Sequence, residues 1–401
     1  MSITRRTLFS GGGLLGMWPF SKLAAAPGKK ADIYQQLGIR PVINLQGTMT
    51  TIGASKVWPE IHEAMAQASQ HYVVLSELHD KIAERLSTLM NTEDAMVTTG
   101  AAGAIAIGTC GCMTGNDTAQ IRRLPDLDGP PREVIIQKVH RNGYDHAVRS
   151  TGVKVVEVES ADQLRSAFND RTVMIYFLGG TSGDWAWETP VKIEECLEIA
   201  HKAKVPVMVD AANMLPPWEN IRKLGALKVD LIALSGGKHM RGPQCSGILA
   251  GRRDLVRAAR LNSSPYSDSH GRPMKVGREE MVGLWLACEK YAKLDFEAID
   301  RQSFQQAEYL RNELNKIPGV KASFSPHDRT RRVHRVAVEW DEAETGLTRK
   351  EVDQQLMNGE PRISVYRHSS GIMFTVFMND PGDEKIAARR MKEIFSAARK
   401  S

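Results

Sequence analysis

Val207-Met208-Val209-Asp210-Ala211-Ala212-Asn213 and Leu234-Ser235-Gly236-Gly237-Lys238-His239 are two apolar runs that stop abruptly in polar or small residues, with Lys238 lying 28 residues after Asp210. A buried parallel strand reads this way where it delivers a residue to the carboxyl edge of a sheet. Comparable β-branched runs occur on both sides: Ala95-Met96-Val97-Thr98, Val134-Ile135-Ile136, Val153 to Val158, Val173 to Phe177 and Ser246 to Ala250. Amphipathic stretches of helix length such as Ile193 to Lys202 separate them. This alternation predicts an α/β fold whose large domain is a mainly parallel sheet covered on both faces. One helical stretch is expected from Pro59 to about Met90 and another from Arg278 to about Lys316. A smaller α+β C-terminal domain follows, with strands at Val333 to Val338 and Ile372 to Val376 and a terminal helix near Asp383. The expected organisation is a leader over 1–26, an N-terminal arm over 27–60, a large domain over 61–285 and a small domain over 286–401.

Adjacent strand ends that present a carboxylate and a lysine point to pyridoxal phosphate. A lysine holds the cofactor's aldehyde as a Schiff base, and a carboxylate keeps its pyridine nitrogen protonated so that the ring withdraws electrons. Each residue alone has an ordinary reading, Asp210 as a helix cap and Lys238 as a loop residue. Taken together, in this order and spacing, the two segments resemble the fold-type I pyridoxal phosphate enzymes. The resemblance runs over about residues 31 to 400 and is to the branch of selenocysteine synthase-like proteins and sugar-acid ammonia-lyases.

Asp210 reads as the partner of the pyridine nitrogen, with Ala212 or Asn213 beneath the ring, and Lys238 as the Schiff-base lysine and general base. Ser235 is expected to reach the phosphate, with His239 a neighbour. In Val97 to Ala104 a strand runs into small residues and then an apolar helix, where backbone amides and the helix N-terminus can meet an anion. The resemblance implies a phosphate cradle there, at Gly100, Ala101 and Ala102. It also implies a ring-stacking residue from the loop Gln137 to His146, for which His140 is chosen over Tyr144 and His146. Leu178 to Gly183, with Thr181, reads as a loop that closes over substrate. By the same resemblance Arg362 faces the substrate carboxylate, and Lys275 lies near the cofactor of a neighbouring subunit. A homodimer or higher homo-oligomer is therefore expected, with the arm around Gly47-Thr48-Met49-Thr50 crossing to the partner.

The net charge of +6 is scattered. Arg329, Arg331, Arg332 and Arg335 read as a solvated turn and strand edge, so no nucleic-acid partner is expected. Five cysteines at positions 110, 112, 196, 245 and 288 show neither CxxC nor metal-ligand spacing and read as buried thiols, with no metal site. Arg5-Arg6, the weakly apolar stretch Ser10 to Phe20 and Ala24-Ala25-Ala26 have the layout of a twin-arginine signal peptide. Export by that machinery to the periplasm is expected, without stable membrane insertion.

These readings converge on Cα-proton abstraction from a free amino acid or amino sugar acid. α,β-elimination of the ammonia-lyase type leads, with racemisation, epimerisation or transamination as alternatives. An exported protein that keeps the fold without catalysis is a further alternative, against which the joint presence of Asp210 and Lys238 argues.

Overall fold

Apolar side chains that alternate between the two faces of one strand set must be covered twice, and the computed structural model shows this for the central strands. It describes residues 32–180, 189–325, 331–368 and 370–399. The strands are β1 (Val42–Leu45), β2 (Asp94–Thr98), β3 (Glu133–Gln137), β4 (Lys154–Val158), β5 (Thr172–Leu178), β6 (Val207–Asp210), β7 (Leu231–Ser235), β8 (Gly247–Gly251), β9 (Val320–Phe324), β10 (Arg335–Trp340), β11 (Arg362–His368) and β12 (Gly371–Thr375). The large sheet has the order β2-β8-β7-β6-β5-β3-β4. Its pairs are parallel from β4 through β7, and β8 runs antiparallel to both β7 and β2.

One face carries Val207, Val209, Ile232, Leu234, Ile175 and Ile135 into a core closed by Leu86, Trp218, Ile221 and Leu284. The opposite face carries Met208, Leu231, Ala233, Met174 and Val134 against Ile105, Ile107, Val256 and Ala259. Helix Gly100–Thr114 covers that second face, and its small residues are a packing requirement: a Cβ on Gly111 would stand 2.7 Å from the backbone nitrogen of Ala259. Cys110, at 0% exposure, belongs to this layer, as its apolar surroundings imply. Cys245 is exposed, so the expectation of uniformly buried thiols fails there.

The smaller sheet has the order β1-β11-β12-β10-β9. Its core gathers Val336, Val338, Ile363, Ile372 and Phe374 with Leu310 and Leu314 from helix Phe296–Leu314 and Met391 and Phe395 from helix Asp383–Ala398. Part of the expected arm is therefore a strand, because β1 pairs in parallel with β11 from Val42↔Arg362 to Leu45↔Val365. Both long helical stretches are also divided. The first breaks into Pro59–Ala68 and Leu75–Met90, and the second into Arg278–Tyr291 and Phe296–Leu314. Asp295 accepts from Ala298 N–H at 2.9 Å and starts the latter helix. The expected boundary at 285 falls inside Arg278–Tyr291, whose Met281, Leu284, Cys288 and Tyr291 join the core of the large sheet. Ahead of β1, residues 32–41 contain one short helix, Ile33–Gln36, capped by the Asp32 carboxylate.

Candidate active site

The strand ends place the candidate groups side by side. In the large sheet Asp210 ends β6 opposite Leu178 of β5 and Ala233 of β7, Ser235 ends β7 opposite Gly247, and Gly247 also faces Thr98 at the end of β2. A single edge therefore carries Thr98, Ser235, Asp210 and Leu178, and Lys238 follows β7 by a tight turn. In that turn a Cβ on Gly236 would stand 2.3 Å from Ser246 Oγ, and one on Gly237 2.4 Å from Gln244 Cα. The two glycines are thus needed for close approach.

Asp210 is 5% exposed and its carboxylate is fixed from two sides. Oδ1 accepts from Ala212 N–H at 3.0 Å and Oδ2 from the Tyr176 hydroxyl at 2.8 Å. Tyr176 is fully buried in β5, and burial with the adjacent Asp210 charge pushes its pKa far above the ordinary value, so it remains a donor. Nothing in the sequence distinguished this tyrosine from any other strand residue. Lys238 is half-buried. Desolvation lowers the pKa of its amine, with the Arg331 charge adding to the effect and Asp210 opposing it. An amine so placed releases its proton more readily than a surface lysine and is a better nucleophile and base.

Gly100 opens helix Gly100–Thr114 at φ +83°, and nothing stands within 4 Å of the place a Cβ would take. Ala101 beside it is buried and Ala102 exposed. The amides of this first turn have no intrahelical acceptor and sit at the positive end of a 15-residue helix. Gly247 brings the neighbouring strand against them, since its Cβ would stand 2.4 Å from the Gly100 carbonyl carbon. Gly100, Ala101, Ala102 and Ser235 thus border one strand end. The segment before helix Pro59–Ala68 fastens the lysine loop from outside: Ser55 donates to the Gly237 carbonyl at 2.8 Å and Arg241 Nε to the Lys56 carbonyl at 2.7 Å.

His140 lies on the short turn Lys138–His140 with 0% exposure. Its Nδ1 accepts from Leu178 N–H at 3.3 Å, and its ring meets Phe177 edge-on at 4.5 Å. Burial holds its pKa down at about 4. The ring is therefore neutral and a weak base, which suits support or stacking and not proton transfer. Tyr144 and His146 are exposed. Burial likewise holds His79 at about 4, where its Nε2 accepts from Val97 N–H at 2.9 Å.

Both histidines fold neutral, whereas in the unfolded chain they take up protons near pH 6.5. The stability tied to them is therefore complete above about pH 6.5 and is lost as the pH falls toward 4, by about 3 kcal/mol per ring. Urea midpoints measured between pH 7 and pH 4 are expected to fall over this interval. A midpoint that stays level would contradict the placement of these rings.

The remaining candidates divide. Asn213 accepts from the guanidinium of Arg331. His239 is buried against Phe377, with ring centroids 5.1 Å apart. Lys275 is exposed beside Met274, which packs near Gly103 of helix Gly100–Thr114. Arg362 opens β11 and donates Nε–H to the Met357 carbonyl at 2.9 Å, tying the strand to helix Arg349–Asn358. Thr181 and residues 1–26 lie outside the described residues. Arg331, expected in a solvated turn, is instead 5% exposed at the edge of the lysine's surroundings.

These groups fit pyridoxal phosphate: a desolvated lysine, a carboxylate locked in orientation on the neighbouring strand, and an open glycine-led helix start for the phosphate. Comparison with known proteins agrees. The family model for aminotransferase class-V matches residues 146–358. D-glucosaminate-6-phosphate ammonia lyase of Salmonella typhimurium is 30% identical over 377 residues, covering 90% of this chain and 98% of the relative. The 5'-C-glycyluridine monooxygenase-decarboxylase of a Streptomyces species is 30% identical over 378 residues, covering 90% and 91%. A solved structure of D-glucosaminate-6-phosphate ammonia-lyase superposes with a TM-score of 0.79 at 28% identity, over 92% of this chain and 99% of that one. The chain therefore belongs to the class-V aminotransferase family and is a pyridoxal phosphate enzyme of the fold-type I architecture.

Proposed function

We propose that this protein is a lyase that removes the Cα proton of an amino acid or amino sugar acid and expels a β-substituent, releasing ammonia and a keto acid. The observation that carries the reading is the desolvated amine of Lys238 beside the fixed carboxylate of Asp210. Pyridoxal phosphate supplies the sink for the electron pair left when the Cα proton departs. Lys238 Nζ accepts that proton, and desolvation, by disfavouring the charged ammonium, favours the neutral amine that can do so. Asp210, unable to turn because Tyr176 and Ala212 hold both oxygens, is placed to keep the pyridine nitrogen protonated. The amides of Gly100, Ala101 and Ala102, with Ser235, are placed to hold the phosphate, and His140 supports or stacks on the ring.

Loss of the proton and of the β-substituent with its bonding pair leaves an enamine of the substrate, which water converts to keto acid and ammonia. The two relatives at 30% identity carry different reaction names, so family membership alone does not choose between elimination and oxidative decarboxylation. The leader Arg5-Arg6 supports an exported enzyme and hence an unphosphorylated substrate. The test is a panel of D- and L-amino acids and amino sugar acids, with and without a β-hydroxyl and with and without phosphate. Ammonia and keto acid in equal amounts, from unphosphorylated β-hydroxy substrates only, are expected. Inversion of Cα without ammonia, or oxygen consumption with release of carbon dioxide, would overturn elimination.

A further inference from the structure

Arg241 closes the turn that carries Lys238 at φ +55°, in the left-handed region that glycine enters freely and other residues enter at a cost. Its N–H donates to the Lys238 carbonyl at 3.0 Å, and Gly242 N–H donates to the Gly236 carbonyl at 3.0 Å. An arginine kept in this conformation, where glycine would be unstrained, points to work done by its side chain. The guanidinium lies over the ring of Trp58, 3.8 Å from its centroid, and Nε–H donates to the Lys56 carbonyl at 2.7 Å.

Trp58 completes the hold. Its backbone N–H donates to the Arg241 carbonyl at 3.3 Å and its indole Nε1–H to the Met240 carbonyl at 3.0 Å. Lys290, paired with Glu60, lies 4.5 Å from the ring centroid as a second cation on the indole. With Ser55 donating to the Gly237 carbonyl at 2.8 Å, residues 55–58 grip the turn on both sides of Lys238. Each of these bonds ends on a backbone carbonyl, so none of them engages Lys238 Nζ. The gripping segment is itself anchored elsewhere: it follows β1 of the small sheet, and Lys56 pairs with Asp380 of the C-terminal part. A strap fixed from outside the turn can set where the turn sits, which the turn's own bonds cannot.

We propose that Trp58 and Arg241 are positioning residues for Lys238, holding its turn so that Nζ stands where it condenses with the cofactor's aldehyde. This role rests on Lys238 as the cofactor-bearing lysine and is independent of what becomes of the substrate after the Cα proton is lost. Arg241→Asn isolates the clamp, because asparagine tolerates the left-handed conformation and lacks the guanidinium. Trp58→Phe keeps an aromatic ring beneath Arg241 and removes the bond to the Met240 carbonyl.

The test follows the full-length apoprotein as it takes up pyridoxal phosphate, read as growth of the visible band. It separates the limiting rate at saturating cofactor from the concentration that gives half that rate. Arg241→Asn is expected to lower the limiting rate by about tenfold with half-saturation unchanged, within the hundredfold that a misplacement of about 1 Å can cost. Trp58→Phe is expected to fall between this variant and wild type, and it reads the same split if the urea midpoint shows Arg241→Asn unfolded. Amide exchange over residues 236–246 in the Trp58→Phe apoprotein is expected to rise about fivefold, the factor for one hydrogen bond between neutral groups, with exchange in β6 unchanged. Limiting rates equal to wild type in both variants would overturn the positioning role. So would rates that fall only together with a raised half-saturation and faster exchange in β6, the pattern of general loosening. A wild type that forms no band would overturn the role of Lys238 itself, so the wild-type band tells the two failures apart.

Discussion

Replacing Lys238 with alanine is expected to lower turnover by about four orders of magnitude or more, because one side chain both holds the cofactor and serves as the base at Cα. The fold is expected to survive. The turn's shape comes from its backbone, with Gly236 N–H donating to the Ser246 carbonyl at 2.8 Å and Arg241 N–H to the Lys238 carbonyl at 3.0 Å. The measurement is kcat beside the urea midpoint. A variant that keeps a tenth of wild-type kcat would remove Lys238 from the chemistry, whereas an unfolded variant would show that the turn depends on the side chain.

Asp210→Ala is expected to cost about a hundredfold to a thousandfold in kcat, the range for losing one preorganised electrostatic group. It also strands the buried Tyr176 hydroxyl, which destabilises the fold by about 1–3 kcal/mol. Asp210→Asn separates the two effects. The amide keeps the shape and one acceptor oxygen for the two donors Tyr176 and Ala212 while losing the charge, so stability is expected to recover in part and kcat is not. Wild-type kcat in Asp210→Asn would show that the carboxylate charge has no catalytic part.

The large sheet was legible because a strand covered on both faces is an uninterrupted apolar run, and its end is marked by a sudden change of polarity. That change is what singled out Asp210 and Lys238. The small sheet was read only in part. β1 is a four-residue strand whose partner β11 begins 320 positions later, at Arg362 against Val42, and no local pattern announces such a pairing. The divisions at Ser69–Val74 and Ala292–Asp295 were hidden because apolar spacing continues across them.

Within the site, the residues that stayed unrecognised are those whose role comes from distant chain. Tyr176 looks like an ordinary strand residue until its hydroxyl meets a carboxylate 34 positions away. Arg331 sits in an arginine-rich stretch that has the composition of a solvated turn. Its burial follows from the packing of the C-terminal part against the strand ends, where it meets Asn213 118 positions earlier. His140 was placed in the right loop, but its burial and neutrality depend on Phe177 and Leu178 of β5.

The most direct test of the central claim is to reduce the purified wild-type protein, supplied with pyridoxal phosphate, with borohydride and to map its peptides by mass. The account predicts a visible absorption band that disappears on reduction and a pyridoxyl group fixed on Lys238. A cofactor fixed on another lysine, or a protein that takes up none, would contradict it.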